Sequence, residues 1–261
     1  MIVLRALPLP AIMQPNTSYL SHSTQHTMIW TISDLHLSFA QPKPMDIFGS
    51  HWRDHPDRIA RRWRERVAPD DWVLIAGDIS WAMKFSDALV DLRWIDALPG
   101  RKVMIRGNHD YWCSRRVNPI RPHLPPSISL LSADALDIGE AVVCGTRCWI
   151  TPDTPGYAVS TDEQIYQREL NMLDRALDHA GQLAASRLPI IVMIHYPPFL
   201  NRQPSEFARR IAAAGARACL YGHLHRRQDH DHAVNETVDG VSYQLTACDF
   251  LDFGPVGVRG L

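Results

Sequence analysis

Seven side chains of the kinds that bind metal ions occur in short clusters along the chain. They are two aspartates, one asparagine and four histidines, namely Asp34, His36, Asp78, Asn108, His195, His223 and His225. Carboxylate and imidazole ligands suit Mn, Fe, Zn or Co better than Ca, although they do not choose among these metals. Seven candidate ligands exceed the needs of one ion. The set therefore predicts two divalent transition-metal ions with a shared carboxylate.

Each cluster follows a short apolar run that is typical of a buried β-strand. These runs cover residues 28–33, 72–76, 102–106 and 189–195, and further strands are predicted within 216–222 and 240–250. Because ligands bind at the carboxyl ends of the strands in an open α/β sheet, the clusters are expected to converge there. A spacing of two along an extended segment would send Asp34 and His36 to the same side, and likewise His223 and His225.

Amphipathic segments alternate with the predicted strands. They cover residues 57–67, 86–98, 162–187 and 205–215, where apolar residues recur at helical spacing. Ser86 and Thr161 are the expected N-caps of two of these helices. The alternation predicts a single layered α/β domain over residues 28–261 with mixed sheets. Residues 1–27 contain several prolines and are expected to be a disordered extension.

Composition excludes several classes of protein. The 27 basic and 28 acidic residues give a net charge of -1, which provides no general attraction for nucleic acid or anionic membrane. No apolar run approaches the roughly 20 residues of a membrane-spanning helix. The 5 cysteines are odd in number and form no CxxC pair, which favours reduced thiols in a cytoplasmic protein.

The ordered sequences DLH, GD, GNHD, IHYPP and GHLH, spread over residues 34–225, resemble the calcineurin-like metallophosphoesterase superfamily, and its small bacterial phosphohydrolases in particular. The resemblance implies two mixed β-sheets packed as a sandwich and flanked by helices, in four layers. It also implies a metal-dependent hydrolase, manganese being one candidate metal. The substrate would be a small, nucleotide-like or other phosphorylated molecule. A metal-bridging hydroxide would attack its phosphomonoester, phosphodiester or pyrophosphate bond directly.

The resemblance also assigns roles to individual residues. One ion would be held by Asp34, His36, Asp78 and His225, and the other by Asp78, Asn108, His195 and His223, so that Asp78 bridges the two. His109 would contact the phosphate and protonate the leaving group. For Asp110 two roles remain open, since it could orient His109 or simply cap a turn.

Two other functions stay open alongside hydrolysis. A noncatalytic metal-binding scaffold of the same fold would be expected to lose ligands or the proton donor, yet all of them are present. A nuclease would be expected to show a basic groove, whereas the arginines within 61–66 lie on a predicted helix and are expected to face solvent. Trp81 stands where phosphoprotein phosphatases have an aspartate that orients the catalytic histidine, which argues against that activity.

The connection between His36 and the first helix is about 20 residues long, enough to form a lid over a ligand site. Lys43, His51, Arg53 and His55 within it could reach a phosphate or a base. An ordinary surface loop without substrate contacts explains the same residues.

Overall fold

The computed structural model describes residues 27–114, 116–185 and 187–261, so the extension predicted at 1–27 lies outside this range except for its last residue. In chain order the strands are β1 (Ile29–Ile32), β2 (Trp72–Ile75), β3 (Arg101–Met104), β4 (Ile128–Leu130), β5 (Asp134–Asp137), β6 (Val142–Thr146), β7 (Ile190–Ile194), β8 (Phe199–Leu200), β9 (Gln203–Pro204), β10 (Ala218–Tyr221), β11 (Thr237–Val238), β12 (Val241–Leu245) and β13 (Val256–Gly257). The α-helices are α1 (His55–Arg66), α2 (Phe85–Asp96), α3 (Val159–Ala184), α4 (Glu206–Ala213) and α5 (Arg227–His232).

The strands form two large mixed sheets. The first has the order β13-β1-β2-β3-β4, in which β13 alone is antiparallel to its neighbour. The second has the order β11-β12-β10-β7-β6-β5, with parallel central strands and an antiparallel strand at each edge. The mixed sheets predicted from the sequence are confirmed.

Side chains that alternate along each strand build three apolar layers. Leu74 of β2 and Ile191 of β7 belong to the core between the two sheets. Their neighbour Val73 packs into the core that includes α1 and α2, while Val192 packs into the core that includes α3 and α4. Strands buried on both faces carry continuous apolar runs, which is why they were recognisable in the sequence. The result is the predicted sandwich of two sheets between helical layers.

The helix starts differ from the predicted ones. Helix α2 follows Lys84 and α3 follows Ala158, neither of which makes a side-chain cap bond, so the N-caps predicted at Ser86 and Thr161 are wrong. For α3, the Asp162 carboxylate accepts a hydrogen bond from the Ala158 N–H at 2.9 Å. A carboxylate in the first turn therefore accepts from the N–H of the N-cap residue itself, and its negative charge is favourable at the helix N-terminus.

Strands β4 to β6 were missed by the sequence analysis. Strand β6 pairs in parallel with β7 inside the second sheet and is completely buried. Its run contains Gly145, a residue that usually weakens a strand. A β-carbon at Gly145 would lie 2.0 Å from the Met193 carbonyl oxygen, so the close approach of β7 requires glycine here.

The carboxyl edges of the two sheets meet. The Ser33 N–H, just after β1, donates to the Thr246 carbonyl just after β12 at 2.7 Å, and the Cys248 N–H donates back to Ser33 at 3.0 Å. Because β1, β2 and β3 end at the same edge as β7 and β10, all five metal-ligand clusters are brought to this junction.

Two predictions concerned environment rather than architecture. Among the described residues, no helix combines the length and apolar character needed to cross a membrane. All 5 cysteines fall within the described ranges, and each is a buried free thiol. Burial raises the pKa of Cys113 and Cys144 to about 12 each, which makes these thiols poor nucleophiles at neutral pH.

Candidate metal centre

The structure brings all seven predicted ligands together at the carboxyl edges of the sheets. Asp34, Asp78 and Asn108 follow β1, β2 and β3 of the first sheet, while His195 and His223 follow β7 and β10 of the second. The remaining two, His36 and His225, lie two residues beyond the first ligand of their own loops. The centre therefore lies where the carboxyl edges of the two sheets meet, and each sheet supplies part of it.

Asp34, His36 and His225 form the first group of donor atoms. The Nε2 atom of His225 lies 3.4 Å from Oδ1 of Asp34 and 3.3 Å from Nε2 of His36. One ligand atom from each of these residues lies within 4.8 Å of the others, a spacing that can hold one metal ion. Asp34 is fully buried, and its carboxylate also accepts hydrogen bonds from Ser33 Oγ and from the His223 N–H.

Asn108, His195 and His223 form the second group. The side-chain oxygen of Asn108 lies 2.7 Å from Nε2 of His195 and 2.8 Å from Nδ1 of His223. His195 donates from Nδ1 to the Ala76 carbonyl at 3.0 Å, which fixes its ring and directs Nε2 towards the centre. Both imidazole nitrogens thus lie at hydrogen-bond distance from the same Asn108 oxygen, which brings three possible ligand atoms together.

Asp78 lies between the two groups. Its Oδ1 accepts a hydrogen bond from the His109 N–H at 2.8 Å, and this bond fixes the carboxylate. Its Oδ2 is 3.8 Å from Nε2 of His36 and 3.5 Å from Nε2 of His195. This oxygen is buried, and no hydrogen-bond partner for it exists among the described residues. Burying a carboxylate oxygen without a hydrogen-bond partner costs folding free energy. A metal ion on each side would give this oxygen the partners it lacks, so the residues fit two ions that share Asp78.

The local backbone at the centre is left-handed rather than extended. Asp34, His36, Asp78 and His223 have φ values of 58°, 46°, 51° and 74°. The prediction that Asp34 and His36 share one side of an extended segment is therefore wrong, although both side chains reach the centre. Non-glycine residues rarely adopt this conformation and tend to do so at functional sites, where surrounding bonds hold them.

Two glycines let the loops pass close to the carboxylates. A β-carbon at Gly107 would lie 2.0 Å from Oδ1 of Asp78, and one at Gly222 would lie 2.3 Å from Oδ2 of Asp34. Any larger residue at either position would push the loop away from its carboxylate. These contacts explain why glycine immediately precedes Asn108 and His223.

The protonation of the histidines depends on whether a carboxylate is close enough to offset burial. Burial lowers the pKa of His36 and of His223 to about 3 each, so both rings are neutral and ready to bind a metal. Burial acts in the same direction on His195 and is the largest single effect, but the charge and hydrogen bond of Asp78, the charge of Asp34 and the bond to Ala76 together outweigh it and raise the pKa to about 9. For His225, hydrogen bonds to Asp249 and Asp34 outweigh burial and raise the pKa to about 10.

His109 lies at the mouth of the centre. Its ring is 4.2 Å from the ring of Trp81, and Tyr111 Oη lies 3.4 Å from Nδ1. No described residue forms a hydrogen bond with its Nε2, which leaves that nitrogen available to a substrate. Burial lowers the pKa of His109, and the charge of Asp78 only partly counteracts this effect.

Trp81 and Lys43 extend the wall beside His109. The Trp81 ring also stacks on His36 at 5.0 Å, and the Lys43 ammonium lies 3.2 Å from the Trp81 ring centre on its exposed face. The long connection thus places Lys43, one of the four residues suggested from the sequence, near the centre. His55 is buried, and its ring nitrogens lie 3.2 and 3.1 Å from the carbonyl oxygens of Trp52 and Leu35, so its role is structural.

Among the described residues, the Asp110 carboxylate forms no hydrogen bond with the His109 ring. The carboxylate accepts hydrogen bonds from the N–H groups of Ile79, Ser80 and Gly107, at 2.9, 3.0 and 2.7 Å. Burial and the charge of Asp78 raise its pKa to about 6. The bond from the Gly107 N–H is that of a residue that caps a turn, and the other two join this turn to the loop after β2; a role of Asp110 in orienting His109 stays a prediction.

Asp249 was missed by the sequence analysis. Its Oδ1 lies 3.1 Å from Nδ1 of His225, opposite the nitrogen that faces the centre, and its side chain is 1% exposed. A carboxylate behind a ligating histidine fixes the ring orientation and increases its basicity. Asp249 lies inside the segment 240–250 in which a strand was predicted, whereas β12 ends at Leu245. With the correct strand end, the rule that found the other strand-end residues would also have found Asp249.

A cavity of about 640 Å³ opens beside His223 and His225. Its aromatic walls are Trp149, Tyr196, Phe199 and Tyr221, and Arg202 and Arg226 also line it. This volume falls within the usual range for sites that hold small organic molecules.

Comparison with known proteins gives the class to which this chain belongs. Residues 27–227 match the family of calcineurin-like phosphoesterases. This segment covers most of the chain and includes every predicted ligand, so the chain belongs to this family.

Two curated relatives come from mycobacteriophages. The chain is 36% identical over 81 residues to the Gene 66 protein of Mycobacterium phage L5 and 40% identical over 83 residues to that of Mycobacterium phage D29. Each match covers 31% of this chain, and they cover 39% and 40% of the two relatives. The chain thus spans about two fifths of the length of the curated relatives it matches.

Solved structures with a similar fold include a phosphopantetheinyl hydrolase from Mycobacterium tuberculosis. It shares 15% identity at a TM-score of 0.49, with 85% of this chain and 89% of that chain covered. A protein of unknown function from Aquifex aeolicus shares 16% identity at a TM-score of 0.47, with 88% and 95% covered.

Proposed function

We propose that the chain is a phosphoesterase that uses two divalent transition-metal ions to hydrolyse a phosphomonoester, phosphodiester or pyrophosphate bond. Family membership supports a phosphoesterase in general. The observation that carries the dinuclear proposal is the buried, unpartnered Oδ2 of Asp78 between His36 and His195. No described residue donates a hydrogen bond to this oxygen, and a bridging ligand requires an oxygen in this position.

The two groups of donor atoms divide the ligands between the ions. Asp34, His36 and His225 would hold one ion, and Asn108, His195 and His223 would hold the other, with Asp78 shared. At these sites the ligands would hold two ions whose charge would polarise the phosphoryl oxygens and activate a water molecule as the nucleophile.

His109 would act on the leaving group. Its Nε2 is free of described partners, while its backbone N–H is tied to Asp78, so the ring is held beside the centre. A protonated imidazole at this position can donate from Nε2 to the departing oxygen, which would otherwise leave as an alkoxide. Tyr111 and Trp81 flank the ring and restrict its orientation.

The cavity beside His223 and His225 would hold the organic part of the substrate. Its aromatic walls, Trp149 and Phe199 among them, suit a flat or apolar group, and a nucleotide-like phosphate ester meets that description. The net charge of -1 makes a polymeric nucleic acid a less suitable substrate than a small molecule.

A substrate panel tests the proposal directly. Purified protein would be reconstituted with Mn, Fe, Zn or Co and assayed on p-nitrophenyl phosphate, bis-p-nitrophenyl phosphate, cyclic nucleotides and nucleoside diphosphate sugars. We expect metal-dependent hydrolysis of at least one of these, abolished by Asp78→Asn and retained by the exposed control variant His123→Ala. Two bound ions with no hydrolysis across the panel would favour a noncatalytic scaffold instead.

A further inference from the structure

Three arginines surround a single buried glutamate beside the metal centre. Glu169 lies on α3, and one of its oxygens, Oε1, is 3.8 Å from Arg106, 3.6 Å from Arg147 and 3.5 Å from Arg168. Its other oxygen accepts a hydrogen bond from Thr146 Oγ1 at 3.0 Å. This group of arginines and Glu169 is called the arginine cluster below.

The arginine cluster carries more positive charge than its glutamate can neutralise. Three guanidinium groups face one carboxylate, and the side chains of Arg106 and Arg147 are only 14% and 11% exposed. The three ion-pair distances all exceed the roughly 2.7–2.9 Å of a well-formed charged hydrogen bond. Partly buried charges with loose pairing are costly, because water no longer solvates them fully.

Many hydrogen-bond donors of the cluster are unused. A guanidinium group carries five N–H donors, yet no described residue accepts a hydrogen bond from the side chain of Arg106 or Arg147. The Nε atom of Arg147 is buried without a partner. The ring of Trp149 lies 4.4 Å from the Arg147 guanidinium and covers one face of it. The N–H groups point outward in the plane of the guanidinium, so this ring does not serve as their acceptor.

The cluster lies on the same edge of the fold as the metal ligands. The Arg147 carbonyl accepts hydrogen bonds from the N–H groups of His195 and Tyr196, at 3.1 and 3.2 Å. Arg106 directly precedes Gly107 and Asn108 in the loop after β3. Each of these two arginines is therefore tied through the backbone to a predicted metal ligand.

We propose that Arg106 and Arg147 form an oxyanion subsite that binds a second anionic group of the substrate, a phosphate or a carboxylate. The planar fork of each guanidinium matches such a group, and a bound oxyanion would supply the missing charge and acceptors. The substrate role rests on the proposed function, whereas the anion site itself does not. A purely structural clamp between α3 and the sheets would also use these residues, but it would bind no anion.

Sulfate titration of the full-length, metal-reconstituted protein by calorimetry tests the site itself. Arg106→Gln and Arg147→Gln should each weaken sulfate binding by about 10-fold or more, since each removes hydrogen bonds to a charged group. Arg175→Gln is the matched control, because Arg175 is an exposed arginine of α3, the helix that carries Arg168 and Glu169. This variant should bind sulfate as tightly as the wild type. The metal-centre variant Asn108→Ala should retain sulfate binding at this subsite.

Sulfate binding that is lost in Asn108→Ala and unaffected by both arginine variants would overturn the site, because the anion would then bind only at the metals. Binding that no variant affects would also overturn it. If Arg147→Gln fails to fold, Arg147→Lys keeps the charge without the planar fork. We expect this variant to weaken sulfate binding at least about 3-fold, and unchanged binding counts against the subsite.

The substrate role is tested with two esters that differ by one phosphate. These are the p-nitrophenyl ester of thymidine 3′-phosphate and the same ester carrying a 5′-phosphate. We expect the wild type to have the higher kcat/KM for the second ester, and Arg147→Gln to lower the ratio of the two kcat/KM values at least about 10-fold. Hydrolysis of both with an unchanged ratio would overturn the substrate role. Hydrolysis of neither would remove phosphodiesters from the proposed function and the substrate role with them, and the sulfate result would then decide the anion site.

Discussion

The replacement His109→Ala separates proton donation from metal binding. His109 contributes its backbone N–H to Asp78, but its side chain belongs to neither group of donor atoms. Removing the ring should therefore leave both ions bound. The change should appear in the chemical step, and its size should depend on how much the leaving group needs a proton.

The magnitude follows from general acid catalysis and from the surroundings of the ring. Such catalysis contributes about 10²- to 10⁴-fold. Because burial lowers the pKa of His109, less than half of the rings are protonated at pH 7, and we expect the lower part of this range. For an alkyl phosphate ester, kcat should fall by about 10²- to 10³-fold, which corresponds to about 3 to 4 kcal/mol in the barrier. A p-nitrophenyl ester should lose much less, since its leaving group departs without a proton.

The assay compares an alkyl ester with a nitrophenyl ester at saturating metal, for the wild type, His109→Ala and the control His123→Ala. The pH dependence has a definite sign. The proton donor is present below the pKa of His109 and is lost as the pH rises through it. The ratio of the wild-type kcat to the His109→Ala kcat on the alkyl ester should therefore decrease as the pH rises. Equal loss on both esters would refute the assignment and indicate a role in binding or charge stabilisation instead.

Three further predictions concern the metal ligands and their support. Asp78→Asn should impair both metal sites together, whereas His36→Ala should mainly weaken one, and retention of both ions by Asp78→Asn in a metal titration would contradict the bridge. Asp249→Ala should weaken the ion held by His225 by about 10- to 100-fold, as seen for partners of ligating histidines, with the other site unchanged in the same titration. Since His195 and His225 have pKa values raised to about 9 and 10, metal binding at pH 7 should release about two protons per chain. Calorimetry in buffers of different ionisation enthalpy measures this number, which should decrease as the pH rises through these values, and a release that does not vary with pH would oppose the assignment.

The fold was largely predictable because buried parallel strands leave a strong signal. Strands β2 and β7 are apolar throughout because each lies inside its sheet and is buried on both faces. The residues that follow them are polar because both strands end at the edge that carries the metal ligands. Strand β6 was missed because its run contains Gly145, which is required there by the close approach of β7. A contact between strands distant in sequence cannot be inferred from local periodicity.

The ligand types were predictable, but their local geometry was not. The spacing of Asp34 and His36 suggested an extended segment, whereas the backbone there is left-handed and bonds to the loop after β2. The arginine cluster was invisible to sequence reasoning because Arg106, Arg147 and Glu169 come from three separate elements. Only the packing of α3 against the ends of the sheets brings their charges together.

Anomalous diffraction from manganese-loaded crystals tests the dinuclear centre most directly. We expect two peaks roughly 3.5 to 4 Å apart, one beside His36 and His225 and the other beside His195 and His223, with Oδ2 of Asp78 between them. A single peak after full reconstitution, or two peaks of which neither contacts Asp78, would contradict the account.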